Sequence, residues 1–131
     1  MVFPEAVRSF MDKPSIARIS VIDDQGYPHL IPIWFARDGD ELVFFSSRTA
    51  RKIKHVQSNS KGAVTIGGDP YGSEGYTMKG DFFIEEDDQH RWLKEITYRY
   101  EPRQLADAHL AEWMHDDLVV MRFKPKQVIR V

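Results

Sequence analysis

Turn residues at hairpin spacing constrain this chain more than any other feature. Asp23, Asp24, Gln25 and Gly26 form one turn signal and Asp38, Gly39 and Asp40 a second, and each separates two runs of strand character. In the first run, Ile16 to Ile22, Ala17, Ile19 and Val21 share one face while Arg18 and Ser20 share the other, which is the period of a half-buried strand. Tyr27 to Arg37 reads as its partner. Glu41 to Ser46 follows, and its Leu42, Val43, Phe44 and Phe45 are too continuously apolar for a strand with one wet face, so both faces are expected to be covered.

Short helices punctuate these strands. Pro4 and Glu5 open one that runs to Met11, and Ala50 to Ser58 carries a narrow apolar stripe of Ala50, Ile53 and Val56. A strand over Ala63 to Gly67, a glycine-containing loop from Gly68 to Gly75 able to cover a ligand, and a strand over Tyr76 to Glu85 come next. Asp87 and Asp88 open a helix to about Tyr100, Pro102 interrupts it, a second helical piece reaches about Met114, and Leu118 to Val131 is extended around Pro125. Five or six strands in this order predict a mainly β (α+β) fold: an antiparallel barrel with short helices packed outside. A strand buried on both faces in so small a barrel further suggests a homodimer.

With 131 residues, of which 42% are hydrophobic, there is room for one domain spanning 1–131. The chain has no cysteine, which removes disulfides, thiolate nucleophiles and cysteine-ligated metals and fits a cytoplasmic setting. Eighteen basic and twenty acidic residues give a net charge of −2, so no global field exists to hold nucleic acid or an anionic membrane. Leu30 to Ala36 is the longest apolar stretch, too short to span a bilayer, and the N-terminus lacks a signal-peptide pattern.

Against that neutral background, Arg48, Arg51, Lys52 and Lys54 crowd into seven residues. Arg51 and Lys52 fall in a first helical turn, where the macrodipole disfavours cations by about 0.3–1 kcal/mol each. A bound anion reverses that sign. Hydroxyls of Ser46, Ser47 and Thr49, free amides at the helix start, a guanidinium and an ammonium together make a phosphate site without a glycine-rich loop. The same residues also read as a solvated basic helix face with a hydroxyl cap.

From Gly26 to Gly80 the chain resembles the pyridoxamine 5′-phosphate oxidase-like family of split β-barrel flavoproteins. The resemblance rests on Gly26, Pro28, the strand Leu30 to Phe35, then Phe44, Phe45 and Ser46, then Arg51 and Lys52, then Asn59, and the strand ending at Gly80. It implies a split barrel that dimerises and binds FMN, or in one branch the deazaflavin F420, between two barrels. It further implies that Ser46, Arg51 and Lys52 hold the cofactor phosphate, that the backbone of Leu30, Ile31, Pro32 and Ile33 faces the isoalloxazine edge, and that Phe45 lies beside the ring or ribityl chain. Arg48 and Lys54 would serve the longer tail of F420.

The departures matter as well. Leu30 and Phe35 stand where the true pyridoxamine-phosphate oxidases carry basic residues, Gly75 stands where they carry a flavin-contacting glutamine, and their C-terminal substrate-binding extension has no counterpart before Val131. Vitamin B6 oxidation is therefore not expected. The expected activity is hydride transfer between the flavin and a small organic substrate, with no protein acid or base required. The alternatives are an F420-dependent reductase and a non-enzymatic flavin- or haem-binding module.

Other residues carry weaker signals. Tyr71 and Tyr76 flank the glycine-containing loop and suit either ring stacking or packing, and His29 suits a cavity or a solvent-facing barrel end. His109 and His115 are six residues apart and point to different helix faces, so no metal is expected. Glu85 to Asp88 reads as helix capping, and Trp92, Tyr98, Tyr100 and Trp113 as anchors of the outer helices on the barrel.

Overall fold

In a computed structural model, residues 1–69, 72 and 74–131 are described. The elements are α1 (Glu5–Met11), β1 (Ala17–Ile22), β2 (Pro28–Ile33), β3 (Ala36–Asp38), β4 (Glu41–Ser47), α2 (Arg51–Ser58), β5 (Lys61–Gly67), β6 (Gly75–Glu85), α3 (Arg91–Tyr100), α4 (Arg103–Trp113) and β7 (Leu118–Arg130). All strand pairs are antiparallel, in the order β2-β1-β5-β6-β7-β4-β3.

That order closes the barrel. β2 and β3 are the two edges of the sheet, yet only Trp34 and Phe35 join them, and three Cα steps span no more than about 11 Å. The sheet must therefore curl until its ends are neighbours, and because β2 and β3 do not pair, the barrel stays split along that seam. The strand expected over Tyr27 to Arg37 is accordingly two strands. Phe35, fully buried, turns into the core between them, and the described residues form seven strands where five or six are expected.

The barrel core holds Ile19, Leu42, Phe44, Ile66, Met78, Phe82 and Phe123, with α1 adding Val7 and Met11 and α2 adding Ile53 and Val56. The alternation in β1 is as expected, with Ala17, Ile19 and Val21 all buried. β4 is covered on both faces, but not by a second chain: Leu42 and Phe44 point into the barrel, while Val43 packs with Ala36, Val120, Trp92 and Ile96 under α3. The homodimer expectation thus loses the argument drawn from β4. What the structure leaves uncovered is the outer face of β2, where Leu30 is 71% exposed.

The C-terminal segment is one strand rather than several. β7 runs across Pro125 by means of a bulge at Lys79/Gly80, where a Cβ on Gly80 would overlap the Lys124 carbonyl. Before α3, Gln89 and His90 adopt left-handed backbone angles, and the Asp87 carboxylate accepts from the amides of Trp92 and Leu93 at 2.9 Å each. The helix expected from Asp87 therefore starts as a 3-10 turn over Asp88–His90, kinks at Gln89 and His90, and becomes α-helical at Arg91. Tyr71 and part of the 68–75 loop lie outside the described residues. Among the described residues, no helix is long and apolar enough to cross a membrane.

Candidate functional site

At the split of the barrel, Ile31, Pro32, Ile33, Trp34, Phe45, Lys52 and Trp113 line a cleft of about 340 Å³. That volume is within the range of small-molecule sites, and the lining is apolar and aromatic apart from one ammonium. β2 supplies an edge-strand wall whose outer backbone groups have no sheet partner. Trp34 leaves β2 at the seam and stacks on Tyr100 at 5.0 Å and 6°. Tyr100 is itself fixed, since its hydroxyl donates to the Ser15 carbonyl at 2.6 Å and accepts from the Phe35 amide at 3.2 Å. Trp113, at the end of α4, closes the cleft from the other side, with its ring 6.5 Å from Trp34 and 6.2 Å from Phe45.

Lys52 is half-buried and makes no ion pair among the described residues. Burial pushes its pKa below the ordinary 10.5, as expected for an ammonium withdrawn from water without a counter-charge. It sits in the first turn of α2, whose N-cap, Ala50, offers no side-chain acceptor and whose first turn contains no acidic residue. The helix start therefore keeps unsatisfied amides beside an unpaired cation. An aromatic cleft with an ammonium and an uncapped helix start at one end fits a flat ring carrying a phosphate.

Of the eight residues expected to bind a cofactor, Ile31, Pro32, Ile33, Phe45 and Lys52 meet in this cleft. Arg51 is exposed at the helix start next to it, also without an ion pair among the described residues. Ser46 is buried, and its hydroxyl donates to the Ser47 carbonyl at 3.0 Å, while Ser47 and Thr49 hydroxyls bond to each other at 3.2 Å. Leu30 projects from the outer face of β2, outside the cleft lining.

Arg48 is not free for a cofactor tail. Its guanidinium donates to Glu86 at 2.8 Å and to Asp117 at 3.0 and 3.1 Å, and Glu86 first, then Asp117, raise its pKa further above an already high value. The acidic run is absorbed in the same way, Glu85 by Arg122, Glu86 by Arg48 and Asp87 as a helix cap. A larger open groove of about 750 Å³ is lined by five carboxylates, from Glu85 to Asp88 and Glu95, against the three cations Arg91, Lys94 and Arg122, of which Arg122 is already paired with Glu85.

Trp113 lines the candidate cleft although its sequence context reads only as a barrel anchor, and Trp34, which reads from sequence as the end of the ring-facing strand, lines it as well. Trp92 and Tyr100 do anchor α3 on the barrel, whereas Tyr98 is 38% exposed and bonds Asp107 of α4 instead. Tyr76 is packed, buried edge-on against Phe10 with its hydroxyl donating to Glu74. His29 is exposed beside His55, at 5.9 Å between rings, and His109 bonds Glu101.

The family model described as pyridoxamine 5′-phosphate oxidase matches residues 3–131. No curated protein is significantly similar to the chain in sequence. Among solved structures, an F420 reductase is 21% identical with a TM-score of 0.76, covering 97% of this chain and 98% of its own. A conserved hypothetical protein from Mycobacterium tuberculosis is 18% identical with a TM-score of 0.79 (99% and 85% covered), and the General Stress Protein 26 from Bacillus anthracis str. Sterne is 17% identical with a TM-score of 0.73 (97% and 92% covered). At these identities the likeness is one of fold, the split barrel.

Proposed function

Given that the chain belongs to the pyridoxamine 5′-phosphate oxidase family, we propose that it is a cytoplasmic flavin-binding oxidoreductase that holds FMN at the seam cleft. The observation that carries this reading is Lys52, a half-buried ammonium with no counter-charge among the described residues, at an uncapped helix start and opening on a cleft walled by Trp34, Phe45 and Trp113. Lys52, Arg51 and the first amides of α2 receive the phosphate. The indoles and Phe45 enclose the ring and exclude water, and the backbone of Ile31 to Ile33 meets its polar edge. When bound, the flavin supplies hydride transfer to or from a small organic substrate, so the protein's part is orientation and electrostatics. Pyridoxamine phosphate is not the proposed substrate, because Leu30 and Phe35 bring no cation to the site.

The outer face of β2, with Pro28 and Pro32 exposed and Leu30 71% exposed, supports a homodimer in which this face is covered and the cleft is completed from the second chain. FMN is preferred over F420 because Arg48, one of the two cations available for a longer anionic tail, is held by Glu86 and Asp117.

The experiment is an absorption spectrum of the purified protein, mass analysis of the small molecule released on denaturation, and competition between FMN and F420. Released or tightly bound FMN supports the proposal, and preferential F420 binding moves it to the deazaflavin branch. Changing Arg51 and Lys52 together to Ala should abolish retention while the fold survives. A protein that binds neither cofactor refutes the proposal, and one that binds flavin but never turns over with nicotinamide or F420 donors is a binding module.

A further inference from the structure

Trp113 walls the cleft from the last position of α4, and among the described residues its indole makes no hydrogen bond of its own. Its orientation therefore depends on ring contacts. Phe45 and Trp34 meet it only at tilted angles of 45° and 58°. The one parallel contact is His109, one helical turn earlier on the same face of α4, whose imidazole lies 4.5 Å away at 12°.

His109 is in turn held. Its Nδ1 lies 2.7 Å from Glu101 Oε1, and because a carboxylate accepts, Nδ1–H is the donor. Glu101 follows α3 and its side chain is only 8% exposed, so the carboxylate is a fixed point, not a waving surface group. A chain of contacts thus runs from Glu101 through His109 to the indole that faces the ring site.

We propose that the Glu101–His109 pair is a positioning device: it holds Trp113 at the tilt in which the indole walls the cleft, so that affinity for a flat ring depends on two residues outside the cleft lining. This rests on the flavin reading of the cleft but goes beyond it, since neither residue belongs to the phosphate site. A bound ring gains from a wall already oriented, whereas a free indole must be ordered on binding.

The test uses Glu101→Ala and His109→Ala, with Glu101→Gln as the conservative variant whose amide oxygen still accepts from Nδ1–H. Lumiflavin, which has the ring and no phosphate, is titrated beside FMN, with inorganic phosphate as a competitor reporting on the α2 end alone. Both alanine variants should bind lumiflavin and FMN about two- to tenfold more weakly by the same factor, with phosphate competition unchanged and Glu101→Gln close to the parent. Unchanged lumiflavin affinity in the alanine variants, or equal losses for lumiflavin and phosphate, overturns the proposal.

A second readout needs no flavin. In proteins whose other tryptophans, Trp34 and Trp92, are replaced by Phe, Glu101→Ala should alter the Trp113 emission and near-UV circular dichroism while the far-UV spectrum is retained, and Glu101→Gln should restore the parent signal. If the parent protein binds no flavin, the reading of the cleft fails and this arm decides the positioning claim by itself: an unaltered Trp113 signal refutes it.

Discussion

Replacing Lys52 by Met should strengthen the free protein and weaken its hold on FMN. The methionine keeps the length of the side chain and removes the charge. In the free protein that charge opposes the α2 macrodipole in a first turn with no acidic residue, so its removal should stabilise by about 0.3–1 kcal/mol, with a further gain from no longer burying an ammonium. In the complex the lost interaction is a charge-assisted hydrogen bond worth about 1.5–3 kcal/mol, which corresponds to about 10- to 150-fold in FMN affinity. Riboflavin lacks the phosphate and should bind the variant within about threefold of the parent. Titration of both ligands and urea unfolding of the free proteins measure the two effects. Equal losses for FMN and riboflavin, or a variant less stable than the parent, would refute the reasoning.

The same residue sets a pH dependence. The folded-state pKa of Lys52 lies below 10.5, so as pH rises through it the unfolded chain binds more protons than the folded one. Stability of the free protein should therefore rise with pH on approaching 10.5, by an increment that Lys52→Met lacks.

Three further outcomes test the fold. Asp87→Ala removes the acceptor for two α3 amides and should cost about 0.5–2 kcal/mol in urea unfolding, with Asp87→Asn costing less. Ile96→Ala opens a cavity between α3 and the outer face of β4 and should cost about 2–5 kcal/mol, read from the shift in the denaturation midpoint. Gly62→Ala places a methyl against the Phe82 ring and the Ser20 carbonyl, and should destabilise by about 1–3 kcal/mol by thermal melting.

Local chemistry made much of this molecule legible in its sequence. The face of β1, the double burial of β4, the start of α1 and the cationic first turn of α2 each follow from a few adjacent residues. What escaped depends on distant partners. The strand from Tyr27 to Arg37 breaks because Phe35 is claimed by the core and Trp34 by Tyr100, sixty-six residues on, and no turn residue marks the break. Gln89 and His90 take left-handed angles without a glycine to announce them. In the site, Arg48 looked like a spare cation until Glu86 and Asp117 arrived from 38 and 69 residues away, and Trp113 reached the cleft from a helix whose pattern spoke only of packing.

The strand order also bears on how the chain assembles as it is made. β7 lies between β6 and β4 and, among the described residues, supplies the only strand pairing between the β2-β1-β5-β6 group and the β4-β3 pair. Until residues 118–130 pair, β6 and β4 each lack the partner on one edge. Closure therefore waits for β7, its rate should be that of a topology rich in distant pairings, and any ring-binding cleft at the seam comes into being only once that strand pairs.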